Sequence, residues 1–419
     1  MTDQISKRPD VPAPRLSWNT HYLLTHIALQ MCRTSLLDAE TCVVPLEDFI
    51  AESRPALPGL IREYWRLLAK TGGSRSSANA KMADVTSVQD FLNALRLNPT
   101  VSIPYVRCIT PEDVLPNTPH DPSRSGPPHG AYRETAQGAS LDVREVLSVF
   151  SDEPDWGMDQ DLFAVGPYGY GPVPFGSPTG KSSQASFHMA FLHENPLLVA
   201  VFPGLKKSFL EARVRGFLAL AQVAFDSHVD YWGWRFTAWA MHYLQDLSQP
   251  YHARALPFPV WRVLARLLLY PYPRKFAEKH RNILINRHQL FESLVHLMLN
   301  NAVKQRENHP LVKALREHEE YYRGAVRTVM EHVSAVAAAS APRINRLLAL
   351  LLNDPRIDQS DFFVSDEPSY PLVERLTAAS VDRPAAVREF LELVSRCLCH
   401  TGMVTRYVVH SIGTDRQRL

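Results

Sequence analysis

The sequence has few cysteines, and the five that it contains form no recognisable framework. Cys32, Cys42 and Cys108 are widely separated, and the pair Cys397 and Cys399 has no second pair at the spacing of a zinc ribbon. An odd, scattered set argues against a disulfide-stabilised secreted scaffold and against a cysteine-based zinc module. We therefore interpret the cysteines as structural thiols.

Long apolar runs are also missing. The first ten residues, MTDQISKRPD, contain no apolar core of a signal peptide. No apolar run reaches the length of about 18 residues that a membrane-spanning helix needs. We therefore expect a soluble chain without a standard signal peptide.

An excess of charge of one sign is missing as well. The chain carries 45 Lys and Arg against 43 Asp and Glu, interspersed, for a formal net charge of +2. This balance argues against an electrostatically driven nucleic-acid binder. The 419 residues are 45% hydrophobic, which is enough to bury a sizeable core in one large domain or two.

The most informative stretch that is present is Ala238–His252, with the sequence AWAMHYLQDLSQPYH. A long apolar, helix-like segment leads into it from about Phe209 to Trp239. On such a helix His242 and Asp246 are four residues apart and lie on the same face. One such pair is also common as a buried His–Asp contact at a helix end.

A second pair makes the pattern more specific. We expect Pro250 to end the helix, so that the chain turns where His252 arrives. On a further predicted helix, Lys279–Asn300, His288 and Glu292 are again four residues apart. Imidazole and carboxylate groups that converge at a helix end are ligands that zinc prefers. The series therefore predicts a metal site made of histidines and acids.

The stretch 241–252, MHYLQDLSQPYH, resembles the metal-binding core of the bacterial zinc-dependent phospholipases C. That family shares its fold with the fungal single-strand-specific zinc nucleases, and both build a trinuclear zinc cluster on a mostly helical domain. The resemblance implies an all-α fold, a mostly helical phospholipase C/nuclease-type bundle with long loop insertions.

The resemblance extends to the amino-terminal part of the chain. We predict a first helix over Leu16–Leu37. In the resembled phospholipases a Thr-His or Ser-His opens this helix and the histidine binds zinc; His21 matches it, whereas His26 lies off that face. The family's amino-terminal Trp ligand has no direct counterpart, because Trp18 lies inside the chain. Cleavage before it, a substitute ligand or a weakly held ion would each accommodate this difference.

Two further ligands are implied by the order of the motifs. The acidic run 152–161 lacks the spacing of an EF-hand and is typical of a solvated loop. In the family, a Pro-Asp-Tyr-like turn provides a zinc-binding carboxylate, and Asp155 in Pro-Asp-Trp fits it best, with Asp152 as the alternative. The family's aromatic-flanked histidine matches His188, with His193 as the alternative.

The resemblance also implies how the ligands are shared among two or three zinc ions per chain. One zinc would be held by Asp155, His188, His242 and Asp246. A second would be held by Asp246, His21 and an amino-terminal or substitute group, and the third by His252, His288 and Glu292. Asp155 would in addition orient or deprotonate the attacking water.

The predicted function is cleavage of a phosphatidylcholine-type phospholipid to diacylglycerol and a phosphorylated head group. A zinc-dependent single-strand nuclease is the first alternative, and a non-catalytic helical binding protein with structural zinc is the second. Glu292 favours the phospholipase, because the nucleases typically have Asp at the position of this ligand. An amphipathic element at 257–273 with Trp261 suits a peripheral contact with a phospholipid membrane or micelle surface. A choline cage could be formed by Trp156, Tyr168 and Tyr170.

The remaining sequence predicts a single catalytic helical domain, 1–419, with insertions at about 39–145 and 253–285 and a helical C-terminal extension. Helices are predicted over Leu315–Ala338, Arg343–Asn353 and Val387–Ser411, without the alternation of an appended β-sandwich. Because lipid hydrolysis would harm the home cytoplasm, we expect export by a dedicated apparatus, with a cytoplasmic location as the alternative.

Overall fold

The computed structural model describes residues 20–70, 84–108, 132–162, 174–176, 184–258, 261, 273–304, 309–317, 321–359, 361–364, 367 and 370–416. This part of the chain is mostly helical, which confirms the predicted all-α class. Its helices are α1 (His21–Leu29), α2 (Leu46–Ser53), α3 (Leu57–Lys70), α4 (Val88–Ala94), α5 (Val143–Phe150), α6 (Ala185–His188), α7 (Pro196–Val201), α8 (Leu210–Asp226), α9 (Asp230–Asp246), α10 (Pro250–Ala253), α11 (Pro273–Lys304), α12 (Pro310–Arg316), α13 (Val326–Leu352), α14 (Leu372–Asp382) and α15 (Pro384–Arg416).

Short extended segments supplement the helices. Two antiparallel pairs join β1 (Glu40–Cys42) to β4 (Ser140–Asp142) and β2 (Val106–Cys108) to β3 (Tyr132–Glu134). These strands lie in the segment predicted as an insertion, and they flank α5. Single 3-10 turns occupy Ser35–Asp38, Glu153–Trp156, Pro203–Lys206 and Pro355–Asp358.

The centre of the fold is the helical hairpin of α8 and α9. The prediction of one continuous helix over Phe209–Trp239 is wrong, because the chain turns between the two helices at His228, whose φ is 58°. Gly233 allows the helices to pack closely, since a Cβ there would lie 2.4 Å from the Phe225 ring. Helix α9 is buried from Tyr231 to its end, as expected for a helix at the middle of a core.

The prediction that Pro250 ends the helix is also wrong. Helix α9 ends earlier, at Asp246, and Pro250 is the first residue of α10. Proline suits a first helical position because its missing N–H would have no intrahelical partner there. Gln249 caps α10, since its side chain accepts hydrogen bonds from the backbone N–H groups of Tyr251 and His252. The expected corner therefore exists, but as a new helix.

Several helix boundaries differ from the predicted ones. Helix α1 ends at Leu29, ahead of the predicted Leu37, while α11 and α15 exceed their predicted ranges at both ends. Helix α13 runs unbroken through Pro342, although two helices were predicted there. Proline removes the bond to the carbonyl of Ala338, four residues earlier, and Arg254 Nη1 lies 3.4 Å from that oxygen.

Two long carboxyl-terminal helices, α13 and α15, pack against helices that carry proposed ligands. Helix α15 packs against α1, α9, α12 and α13. Among the described helices, α13 has the length and apolar composition of a membrane span, and 56% of its most apolar stretch is buried inside the fold. Core helices meet the same criteria, and this helix packs against α10, α14 and α15.

Candidate metal centre

The structure brings all eight proposed ligands together around the carboxyl-terminal end of α9. They form three groups of side chains that could each hold a metal ion. The contributing elements are α1, the 3-10 turn at 153–156, α6, α9, α10 and α11. The groups are His21, His242 and Asp246; Asp155, His188 and His242; and His252, His288 and Glu292.

The set with the most ligand side chains surrounds His188. Its Nδ1 lies 2.9 Å from Asp246 Oδ2, 3.1 Å from His242 Nε2 and 3.7 Å from Asp155 Oδ1. His242 Nε2 is in turn 3.3 Å from the same Asp246 oxygen and 3.7 Å from the same Asp155 oxygen. Zinc bonds of about 2.0–2.1 Å in a tetrahedron place neighbouring ligand atoms about 3.3 Å apart. These four side chains therefore have the spacing of a first metal site.

His242 belongs to two of the three groups, but only one of its ring nitrogens is available as a metal ligand. Its Nδ1–H donates to the backbone carbonyl of Ser151 at 2.7 Å, so Nε2 alone faces the ligands. That nitrogen is already part of the first site. The second site then consists of His21 Nε2 with Asp246 Oδ1 at 3.6 Å and Asp155 Oδ2 at 4.0 Å. His21 and Asp246 are the residues that the resemblance assigns to this site, whereas it assigns Asp155 to the first site alone.

The third site is built from α10 and α11. His288 Nε2 lies 2.9 Å from His252 Nε2 and 2.6 Å from Glu292 Oε1. The distance between His252 Nε2 and Glu292 Oε1 is 3.5 Å. The side chains of His288 and Glu292 are 18% and 13% exposed. Three protein ligands with one accessible side are typical of a catalytic zinc site, whereas structural sites are closed.

Asp246 connects the three sites. Its Oδ2 faces His188 and His242, and its Oδ1 faces His21 and also His252 Nδ1 at 2.9 Å. The carboxylate is 3% exposed and stands at the last residue of α9. The carboxylate of Asp246 thus lies close to ligands from four helices.

The histidines are oriented by acceptors behind them. His188 Nε2–H donates to Asp159 at 3.1 Å, and the same carboxylate oxygen accepts from the Tyr243 hydroxyl at 2.6 Å. Arg213 forms a buried ion pair with the other Asp159 oxygen. A second hydrogen bond of this kind fixes the tautomer and ring orientation of a metal-binding histidine. It leaves Nδ1 of His188 facing the ligand cluster.

His21 is oriented in the same way by Gln245. Its Nδ1–H donates to Gln245 Oε1 at 2.8 Å, and the Gln245 amide donates to Thr25 at 2.9 Å and to Thr405 at 2.8 Å. Thr405 lies on α15, so the carboxyl-terminal helix helps to hold the first one in place. Tyr22 N–H also donates to Asp152 at 3.0 Å, next to the ligand His21.

The acidic run 152–161 is not the solvated loop that its composition indicates. Asp152 and Asp159 are fully buried, and Glu153 is 2% exposed. Glu153 pairs with Arg235 of α9, and Asp159 pairs with Arg213 of α8, so both charges are compensated. The expectation was wrong because these two arginines lie in helices that read as apolar.

Burial and charge shift the pKa values of the cluster in opposite directions. Burial opposes protonation of His188 and His252, but neighbouring carboxylates raise their pKa values to about 10 and about 9. Burial, reinforced by His21, lowers the pKa of His242 to about 3. Burial raises the pKa of Asp155 to about 7. The carboxylates therefore retain positive charge in the cluster, which is a property of a cation site.

The alternatives that the sequence left open belong to none of the three ligand groups found among the described residues. Asp152 is occupied by Tyr22 N–H and by the Tyr132 hydroxyl, which donates to it at 2.8 Å. His193 is exposed, and its Nε2–H donates to the carbonyl of Glu331 at 2.8 Å. His26 stacks on Tyr22 with a ring distance of 5.8 Å.

The proposed aromatic cage is not supported at its first member. Trp156 is 1% exposed, and its ring contacts Tyr132 and Phe150 in the core, so it cannot receive a head group. Tyr168, Tyr170 and Trp18 lie outside the described residues, as does the 257–273 element apart from residues 257–258, Trp261 and the backbone of residue 273.

Four residues with a role in the site were missed or misjudged from the sequence. Asp159 was grouped with a solvated acidic loop, and Arg213, Gln245 and Gln249 were given no role. Gln249 donates to Glu292 at 3.0 Å in addition to capping α10. The two glutamines flank Asp246 in sequence, so their position within the motif was the available clue.

Comparison with protein-family models, curated proteins and solved structures gave no significant match to this chain.

Proposed function

We propose that this protein is a zinc-dependent phospholipase C. The reaction would cleave the bond between glycerol and phosphate in a phosphatidylcholine-type lipid, releasing diacylglycerol and a phosphorylated head group. The observation that carries the proposal is the set of three ligand groups joined through Asp246. Adjacent divalent ions suit phosphodiester hydrolysis, in which charge develops on several oxygens at once.

The donor chemistry supports zinc. The three groups consist of imidazole and carboxylate ligands, and their spacing suits bonds of about 2 Å. Such groups bind zinc well, whereas calcium and magnesium prefer sites made of oxygen alone. The open side at His288 and Glu292 also favours a catalytic role over a purely structural one.

Zinc ions bound here would polarise the phosphodiester and lower the pKa of the attacking water. The protein's own residues would hold and orient this chemistry. Asp155 is 18% exposed and is the most accessible ligand of the first two sites. Its carboxylate would orient the water or accept its proton, which requires it to be within hydrogen-bond reach. Asp159 and Gln245 would keep His188 and His21 in the ligand-ready orientation.

A lipid substrate is favoured over single-stranded nucleic acid. The net charge of +2 provides little of the positive potential that usually follows a polyanion backbone. Trp261 is 67% exposed, and an accessible indole is typical of proteins that contact a lipid interface. Glu292 occupies the position where the nucleases typically have Asp.

The decisive experiment joins metal content to turnover in one sample. The intact protein is purified, zinc per chain is measured, and the sample is assayed on phosphatidylcholine micelles and on single-stranded DNA. We expect two or three zinc ions per chain and release of phosphorylcholine, with the variant His242→Ala losing both metal and activity.

Each alternative has its own outcome in this experiment. DNA cleavage without lipid hydrolysis would replace the proposal with a zinc nuclease. Retained metal without either activity would indicate a non-catalytic zinc protein. Full turnover by His242→Ala would show that the site assignment is wrong, because Nε2 of this residue faces the other ligands of the first site.

A further inference from the structure

The segment from Met189 to Ser208 forms a closed loop that begins immediately after the ligand His188. The Ser208 hydroxyl donates to the carbonyl of Met189 at 2.6 Å, and Phe209 N–H donates to the carbonyl of Ser186 at 2.8 Å. These bonds hold the two ends of the loop together.

The base of the loop rests on the segment that carries another ligand. Ala190 N–H donates to the carbonyl of His252 at 3.1 Å. The buried carboxylate of Glu194 accepts hydrogen bonds from the backbone N–H groups of Ala255 and Leu256, at 2.9 and 3.2 Å. The loop is therefore fixed beside the metal centre.

The inner side of the loop is packed, but the outer side is apolar and exposed. In helix α7, Leu198 is fully buried and packs with Leu256. Leu197 and Val201, four residues apart on one face of the same helix, are 56% and 44% exposed. Trp261 is 67% exposed and follows, by three residues, Phe258, which packs on the same small cluster.

The charge next to this apolar face is positive. Lys206 and Lys207 are exposed at the end of the loop, and the sequence from 195 to 210 contains no Asp or Glu. The next acidic residue along the chain, Glu211, pairs with Arg215 and Arg327. Exposed aliphatic side chains beside lysines suit a lipid interface, where apolar groups enter the acyl boundary and cations contact phosphate.

We propose that the outer face of this loop, formed by Leu197, Val201, Lys206 and Lys207, binds the surface of a phospholipid bilayer. The functional reason for such binding rests on the proposed phospholipase activity, but the binding itself does not require turnover. The face would hold the metal centre at the membrane, because the loop is tied to both His188 and His252. Lipids with an anionic head group should bind more tightly, and salt should weaken the contribution of the lysines.

The test uses the full-length zinc-loaded protein and two matched pairs of variants. Leu197→Asp/Val201→Asp is compared with Leu350→Asp/Val373→Asp, which alters two exposed aliphatic side chains on α13 and α14. Lys206→Glu/Lys207→Glu is compared with Lys70→Glu/Lys313→Glu, which alters two exposed lysines on α3 and α12. Cosedimentation with phosphatidylcholine vesicles, with and without phosphatidylserine, measures binding.

We expect each loop variant to bind vesicles about tenfold more weakly than its control. Hydrolysis of a short-chain phosphatidylcholine below its micelle concentration should stay unchanged in the same variants, because no metal ligand is altered. Equal vesicle binding by loop variants and controls, or no binding by the wild-type protein, would overturn the inference. So would a wild-type dimer that the Leu197→Asp/Val201→Asp variant dissolves, since a second copy would then be the occupant.

The proposed function and the loop can fail separately. Vesicle binding that depends on the loop, without hydrolysis of any phospholipid, would reject the phospholipase and retain the membrane surface. Hydrolysis of the monomeric lipid with loop-independent binding would retain the enzyme and reject the surface.

Discussion

Asp246 is the residue on which the arrangement of the candidate metal centre depends most. Its two carboxylate oxygens face ligands of different sites, at 3.3 Å from His242 and 3.6 Å from His21. Glu292, by contrast, contacts the ligands of the third site alone among the proposed groups. A substitution at each position should therefore remove different numbers of ions.

We predict that Asp246→Asn weakens metal binding at two sites and Glu292→Gln at one. The amide keeps the size of the side chain but replaces an anionic ligand with a weak neutral one. After dialysis, metal per chain measured by mass spectrometry should fall further in Asp246→Asn than in Glu292→Gln, with both proteins still helical by circular dichroism. Equal losses would contradict the bridging role of Asp246.

Asp159 acts on the site through His188. The Asp159→Asn variant keeps a similar shape but loses the charge that holds the His188 N–H and the Arg213 guanidinium. We predict metal affinity weakened by about 10–100-fold at the first site, as is typical when the partner of a metal-binding histidine is altered. Competition with a chromophoric chelator measures this.

The breaking of a buried ion pair also lowers stability, by about 3–5 kcal/mol, so a control is needed. Asp354 is 5% exposed and pairs with Arg356 and Arg375, and it contacts no proposed ligand. Asp354→Asn should lower stability without changing metal affinity. An equal loss of affinity in both variants would mean that Asp159 acts through global stability only.

At this scale, the sequence allowed residues to be predicted where the spacing was local. His242 and Asp246 are one helical turn apart, and the His288 and Glu292 pair repeats that spacing, so helix geometry alone brings each pair together. Asp159 could not be found in this way, because its partners come from α6, α8 and α9 and depend on tertiary packing.

Helix α10 owes its position to a stripe of small residues. Ala253 of α10 packs with Ala337 and Ala338 of α13 in a separate small cluster, and all three are at most 1% exposed. The close approach places His252, the preceding residue, against His288 of α11. The spacing between α10 and α13 therefore helps to set the third metal site.

We predict that Ala338→Leu displaces α10 and weakens the third metal site. Overpacking of a close helix contact costs about 1–3 kcal/mol. The displaced His252 would then no longer lie at the distance from Glu292 that a shared metal ion requires. Ala339→Leu is the matched control, because Ala339 is the exposed neighbour on the same helix and its substitution should change stability by less than about 0.5 kcal/mol. Thermal unfolding and metal content distinguish the two. An unchanged metal content in Ala338→Leu would show that α10 tolerates the shift.

Helix existence was easier to predict than helix boundaries. The apolar periodicity correctly indicated helices around α9, α11 and α15. It missed the turn at His228, which contains neither proline nor glycine, and it placed a break at Pro342 where the helix continues. In both places a tertiary contact outweighs the local preference: the packing of α8 on α9, and the approach of Arg254 to the carbonyl that proline leaves unbonded.

At the scale of the whole molecule, the candidate metal centre differs from an ordinary hydrophobic core because it contains many ionisable side chains. Six structural elements converge on five histidines and three carboxylates, all of them buried or partly buried. The neighbouring carboxylates favour the protonated forms of His188 and His252, whose pKa values are raised to about 10 and about 9. Metal and proton therefore compete for the same nitrogens.

This competition predicts that metal uptake releases protons and strengthens with pH. Because both pKa values are raised, His188 and His252 are protonated at pH 7, and a binding ion must displace about two protons from them. Apparent affinity should then rise with pH up to the range of about 9 to 10 in which the metal-free histidines lose their protons. Titration calorimetry of zinc-free protein, in two buffers that differ in ionisation enthalpy, measures the number released. A heat of binding that is independent of the buffer would show that the imidazoles are already neutral, and that the buried carboxylates are balanced by charges outside the ligand cluster.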